Sequence, residues 1–366
     1  MSGYVLPPES THCLIYGTAY GTFVLKFTEQ LVEVFMAATI IPTASPKINR
    51  MKESKPILVT GAHRSGTTWV GKMIAASPHV YYIQEPFNVD YPPRPGISRT
   101  RMPYWFMYLS EQNAHQYYSD LQQTLACHYD LKAECAALRS SRDVLRMLRD
   151  ASTATYSRFT HKSPLMKDPL ALFSAEWLAQ TFAMDVIVLI RHPAAFASSI
   201  KRLNWKHDFT HFLQQPRLME EHLAPFASKI ADFAAHEHDI FEQAALLWNI
   251  MYYRVSQYKR LHSDWIFLRH EDASMEPLHH FEYLYKRLAL DFSAHEQAVI
   301  RDYSDSSNPG ETQGKNTAIV NTAIIDKRDS KAAISTWKKK FTEAEISWLR
   351  EQVEDVAHEF YKDGDW

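Results

Sequence analysis

The stretch from Pro56 to Val70, PILVTGAHRSGTTWV, constrains the fold more than any other part of the chain. Ile57 to Val59 is a short apolar run with the character of a buried strand. It breaks at Gly61, passes through a loop closed by Gly66, and restarts at Thr67 as an apolar-periodic helix that must end before Pro78. Strand, glycine-bounded loop and helix N-terminus together make an anion site, because backbone N–H groups converge where the helix dipole is positive. The nucleotide-triphosphatase version of such a loop carries a lysine after its second glycine. Here Thr67 stands in that place and the cation lies inside the loop, at Arg64. The loop can therefore hold a phosphate, but it lacks the lysine that accompanies phosphoryl transfer from a magnesium–nucleotide.

Two motifs carry a family resemblance. Arg64-Ser65-Gly66-Thr67-Thr68-Trp69 resembles the 5′-phosphosulfate loop of sulfotransferases that use 3′-phosphoadenosine 5′-phosphosulfate (PAPS). Arg191-His192-Pro193, followed by Ser199, resembles their 3′-phosphate site. The resemblance runs from about Lys55 to the C-terminus and is closer to the carbohydrate and tyrosyl-protein enzymes than to the cytosolic small-molecule type. It implies PAPS as donor, no metal, and an acceptor hydroxyl on a carbohydrate, tyrosine, lipid headgroup or small alcohol, with carbohydrate favoured.

The resemblance also distributes roles. Glu85, after the apolar run Val80–Ile83, corresponds to an acidic catalytic base, and Glu85-Pro86 resembles a pair found in the carbohydrate enzymes. Lys167, in Lys167-Asp168-Pro169, corresponds to a lysine beside the scissile bridge; the alternative is a solvated lysine paired with Asp168. Small-molecule enzymes use a histidine in a Lys-Thr-His sequence at this point, and that histidine is missing here. His161 lies upstream and is retained as the second candidate base. His270 stands where an aromatic contacts adenine. Lys331 resembles a C-terminal basic residue that closes over the 3′-phosphate, although Ser330-Lys331-Ala332 lacks the family's glycine.

The rest of the chain is read from pattern. Asp185–Ile190 is an unbroken aliphatic run suited to a central parallel strand, and Pro193 opens the next helix. Residues 111–150 read as helical, and Trp265–Leu268 as a late strand. Tyr104 to Tyr108 form an aromatic run more suited to core than to a sugar platform. Residues 203–240 are an inserted set of helices and loop, a candidate acceptor lid. His207 and His211, at i and i+4, lack the further ligands of a metal site. Thr342 and Glu345 form a capping box ahead of a stripe through Ile346, Leu349, Val353, Val356 and Phe360.

These elements predict one α/β domain over residues 51–366: a doubly wound, mainly parallel sheet with a P-loop-like phosphate site and helical insertions. Residues 1–50 form an N-terminal extension, read as an amphipathic helix, an interaction arm or a segment upstream of a start at Met51. A net charge of −2 over 366 residues argues against a general nucleic-acid binder. Leu31 to Ile41 is too short and too interrupted to span a membrane. Three cysteines cannot make a complete disulfide framework, and the expected location is cytoplasmic. A non-catalytic nucleotide scaffold and a P-loop phosphotransferase are the alternative functions.

Overall fold

A computed structural model describes residues 55–304 and 332–366; Lys331 and the N-terminal extension lie outside them. Five strands form one parallel sheet: β1 (Ile57–Gly61), β2 (Val80–Gln84), β3 (Ser163–Lys167), β4 (Asp185–Ile190) and β5 (Ile266–Arg269), in the order β2-β3-β1-β4-β5. β1 is central and wholly buried. The chain leaves it to one side for β2 and β3, then returns to the other side for β4 and β5. The crevice at the C-terminal end of β1, where the order reverses, is where such sheets bind ligands.

Helices cover both faces. α1 (Thr67–Ile74) follows the glycine loop, and its Val70, Met73 and Ile74 pack into a core with Val59, Leu165, Ile187 and Leu189. On the opposite face Leu58, Met166, Val186 and Val188 meet the larger core that includes α2 (Pro193–Leu203) and α3 (Ile240–Leu261). Because β4 is covered on both sides, its aliphatic run needs no alternation. The terminal helix α4 (Glu343–Ala357) starts at the expected capping box and packs on α3; Phe360 lies just beyond it.

One local expectation is corrected. Residues 111–150 are not one helical run: helices at His115–Leu125 and Leu131–Ala136 precede a longer one that starts at Ser141. Cys127 sits in a left-handed turn between the first two, and both it and Cys135 are free thiols. After Lys167-Asp168 the chain forms a 3₁₀ segment, Pro169–Ser174, before it becomes α-helical at Ala175, because the Asp168 carboxylate accepts from Leu170 N at 3.0 Å and tightens the first turn.

Gly61 marks where the sheet gives way to the loop. Its φ of +138° is outside the range of other residues, and a Cβ there would strike the Leu189 carbonyl on β4. Gly61→Ala is therefore expected to destabilise the fold by at least about 1 kcal/mol, read from the urea midpoint.

Candidate active site

The loop from Gly61 to Gly66 is closed by Ser65 N donating to Ala62 O at 3.1 Å. Arg64 adopts a left-handed backbone (φ 65°) and Gly66 another (φ 94°), which turns the loop into the first turn of α1. Gly66 is required by a neighbour as well: a Cβ there would enter the ring of His270. His270 also meets Trp69 edge-on, with centroids 5.8 Å apart. His270 thus lies between the loop glycine and Trp69. The Ser65 hydroxyl is buried and has no hydrogen-bond partner among the described residues. Thr67 is buried beside it and Thr68 is exposed.

Arg191 ends β4, and its guanidinium donates to the Arg64 carbonyl. Arg64 Nε in turn donates to Ser199 Oγ, 3.2 Å away on α2. The two motifs, 127 residues apart from Arg64 to Arg191, therefore form one cationic corner. The backbone of Arg191 is held from below, with its N–H donating to the Tyr252 hydroxyl and its carbonyl accepting from Trp248 Nε1, both at 2.9 Å. His192 caps α2 through Nδ1, which accepts from Ala194 N. Its ring stacks on Trp337 and meets Tyr361 and Trp366 edge-on.

On the other side of β1, Lys167 is almost wholly buried and pairs with Glu85. It is neither solvated nor paired with Asp168. Glu85 sits in a left-handed turn (φ 48°) directly after β2, and its N–H donates to Lys167 O at 2.9 Å. Asn88 Nδ2 holds the other carboxylate oxygen at 2.6 Å. Asp168 fastens this turn, because its carboxylate accepts from Phe87 N at 2.6 Å as well as from Leu170 N. Burial, and then the nearby Glu85 charge, push the Asp168 carboxyl up to about 8. His161 is exposed two residues before β3 begins, at the end of the sheet opposite Lys167.

Some functional neighbours gave no local signal. His63, inside the loop, is buried among Trp105, Phe106, Phe196 and Trp205, at centroid distances of 5.2–6.3 Å. Segment 203–240 is thereby packed against both the loop and the aromatic run. His211 Nδ1 accepts from Trp105 N at 2.8 Å, so that nitrogen is committed to structure. Phe106 is core, as expected, while Trp105 keeps an open edge. An aromatic run and an inserted segment were visible separately, but nothing in either predicted their meeting on His63.

The sulfotransferase family profile matches residues 56–294, about two thirds of the chain and both anion motifs. The chain belongs to the sulfotransferase family. Membership implies transfer of a sulfuryl group from a sulfonate donor to a hydroxyl acceptor. The olefin-synthase sulfotransferase domain of Synechococcus PCC 7002 is 14% identical, with a TM-score of 0.46, covering 87% of this chain and 98% of its own. The sulfotransferase domain of the curacin biosynthetic pathway is 13% identical (TM-score 0.42), covering 82% and 97%. A mouse sulfotransferase complexed with PAP is 13% identical (TM-score 0.38), covering 86% and 87%. The family profile carries the assignment; these distant likenesses add nothing to it. Comparison with curated proteins gives no match. Among the described residues of this sulfotransferase, no helix is long and apolar enough to cross a membrane.

Burial holds His192, His207 and His270 neutral, each pushed down to about 3, with the Arg191 charge adding to the effect at His270. An unfolded chain protonates these rings as pH falls through about 6.5, while the folded sulfotransferase does not. Their contribution to stability is thus present at neutral pH and lost on acidification. Asp168 acts in the opposite sense, because its folded form keeps a proton up to about 8. Counted over these four groups, three histidines outweigh one carboxyl by about two protons, or about 3 kcal/mol per pH unit near pH 5, and the buried His63, also pushed down, adds in the same sense. The melting temperature is expected to fall steadily from pH 7 to pH 5; a flat or rising profile would contradict this burial.

Proposed function

We propose that this sulfotransferase takes its sulfuryl group from PAPS and passes it to an acceptor hydroxyl, with carbohydrate favoured. The observation that carries the donor assignment is the junction of Arg191, the Arg64 carbonyl and Ser199 at the N-terminus of α1. Two anion-binding motifs in contact suit a nucleotide with phosphates at both ends of its ribose, and the unpartnered Ser65 hydroxyl fits a phosphate oxygen. PAPS, when bound, supplies an electrophilic sulfur on a good leaving group. The N–H groups of residues 65–68, the Ser65 hydroxyl and Arg64 would hold its 5′ end. Arg191 and Ser199 would hold the 3′-phosphate, and His270 and Trp69 would flank the base.

The chain's own residues divide the remaining work. Lys167 would stabilise negative charge on a leaving phosphate oxygen. Glu85 would take the acceptor proton as the hydroxyl attacks in line. Lys167 pairs with one oxygen of Glu85, and Asn88 Nδ2 donates to the other, so the carboxylate is held through both oxygens beside the lysine. The positive field comes from Arg64, Lys167 and the loop N–H groups, so the reading requires no metal.

Adenosine 3′,5′-bisphosphate is expected to raise the melting temperature well above the level reached with AMP. Arg191→Ala should erase most of that difference, since a charge-assisted hydrogen bond is worth roughly 1.5–3 kcal/mol, and Arg191→Lys should keep part of it. Equal stabilisation by the two nucleotides would sink the donor assignment.

A further inference from the structure

A second cavity, of about 690 Å³, opens at the other end of the sheet. It is bounded by Pro56, just before β1, and Pro164, at the start of β3. Strand geometry puts the two ends of β1 roughly 13 Å apart, so an occupant here does not compete for the glycine loop. One wall is the C-terminus of the helix Ser141–Phe159. That helix stops in a Schellman motif: His161 is left-handed (φ 51°), Lys162 N donates to Ser157 O at 3.0 Å, and His161 N donates to Arg158 O at 3.2 Å. The motif has two consequences. It occupies the last carbonyls, which blunts the negative helix end, and it folds Lys162 back toward the side that carries Arg158.

Arg158, Lys162, His161 and His128 all line this cavity, and among the described residues no carboxylate does. Neither Arg158 nor Lys162 has a carboxylate partner among the described residues; Lys162 lies only over the Tyr156 ring, 5.1 Å from its centroid. Arg149 and Arg217, by contrast, are each paired with a carboxylate, Asp150 and Glu221. The wall also contains Ser157, which is 1% exposed and whose hydroxyl has no partner among the described residues. At the rim Phe159 is 69% exposed, a large apolar surface with nothing over it among the described residues. Unmatched positive charge, a buried hydroxyl and an open aromatic ring around one cavity suit an anion attached to a flat or apolar body.

We propose that this cavity is a second binding site, for a small molecule bearing a phosphate or sulfate ester on an aryl or comparably flat group. Arg158 and Lys162 bind the ester oxygens, and Phe159 covers the body of the ligand. His161 belongs to this site and not to the transfer chemistry.

The full chain would be crystallised with 4-bromophenyl sulfate and, separately, 4-bromophenyl phosphate, and the bromine located by anomalous scattering. Bromine beside Phe159 is expected with at least one ester, and the two arms tell a sulfate-ester site from a phosphate-ester site. In calorimetric titrations the Arg158→Gln/Lys162→Gln protein should bind the preferred ester at least about tenfold more weakly at this site, as loss of charge-assisted bonds predicts. Arg191→Ala should leave this binding unchanged. The proposal is overturned if no bromine enters the cavity, if the double variant titrates like the parent, or if inorganic sulfate binds as tightly as the esters. The bromine position decides the matter on its own if the double variant does not fold.

Discussion

A guanidinium at the end of β4 donates to a carbonyl in the loop after β1, and the arrangement of the site depends on that contact. Arg191 can reach Arg64 because β1 and β4 are paired along their whole length, Ile57 with Asp185 through Gly61 with Leu189. The same pairing leaves no room for a side chain at Gly61. Once the loop is tied to β4, Arg64 is aimed at Ser199 on α2, and α2 is itself started by Pro193 and capped by His192. Backbone strain at Arg64 and Glu85, both left-handed, is the kind that surrounding structure must over-determine. Here strand pairing and the Asp168 carboxylate supply the constraint.

The second dependency is the buried pair of Lys167 and Glu85. A lysine almost without solvent exposure needs a counter-charge, and β2 provides one by pairing with β3 so that Gln84 lies opposite Lys167. The next residue, Glu85, then turns back onto the lysine. Asp168, one residue further along, stays near neutral at moderate pH and serves as a hydrogen-bond anchor for the turn. Two adjacent residues at one strand end therefore have different tasks, set by burial and partners.

What the sequence made legible was what short-range chemistry specifies. The aliphatic run of β4, the glycines of the loop, the proline at the start of α2 and the capping box at Thr342 each carry their cause within a few residues, and the elements lie where those causes put them. The partner of Lys167 could not be read that way, because it follows from β2–β3 pairing between residues 82 apart. The contacts of His63 with Trp105 and Trp205 are hidden for the same reason. The breaks within residues 111–150 were missed because no glycine or proline marks the turn at Cys127, which holds a left-handed backbone without either. The resemblance named Glu85 and Lys167 but said nothing of their ion pair, which only the folded chain displays.

The central claim, that Glu85 is the base that takes the acceptor proton, is tested most directly by single-turnover transfer from radiolabelled PAPS to a responsive acceptor from a panel of saccharides, lipids and peptides. Glu85→Gln keeps the shape and removes the basicity, so it should slow transfer by at least about 10²-fold while nucleotide affinity stays near that of the parent. His161→Ala, at the far end of the sheet, should transfer at the parent rate. Near-normal transfer by Glu85→Gln together with loss of transfer in His161→Ala would contradict the account.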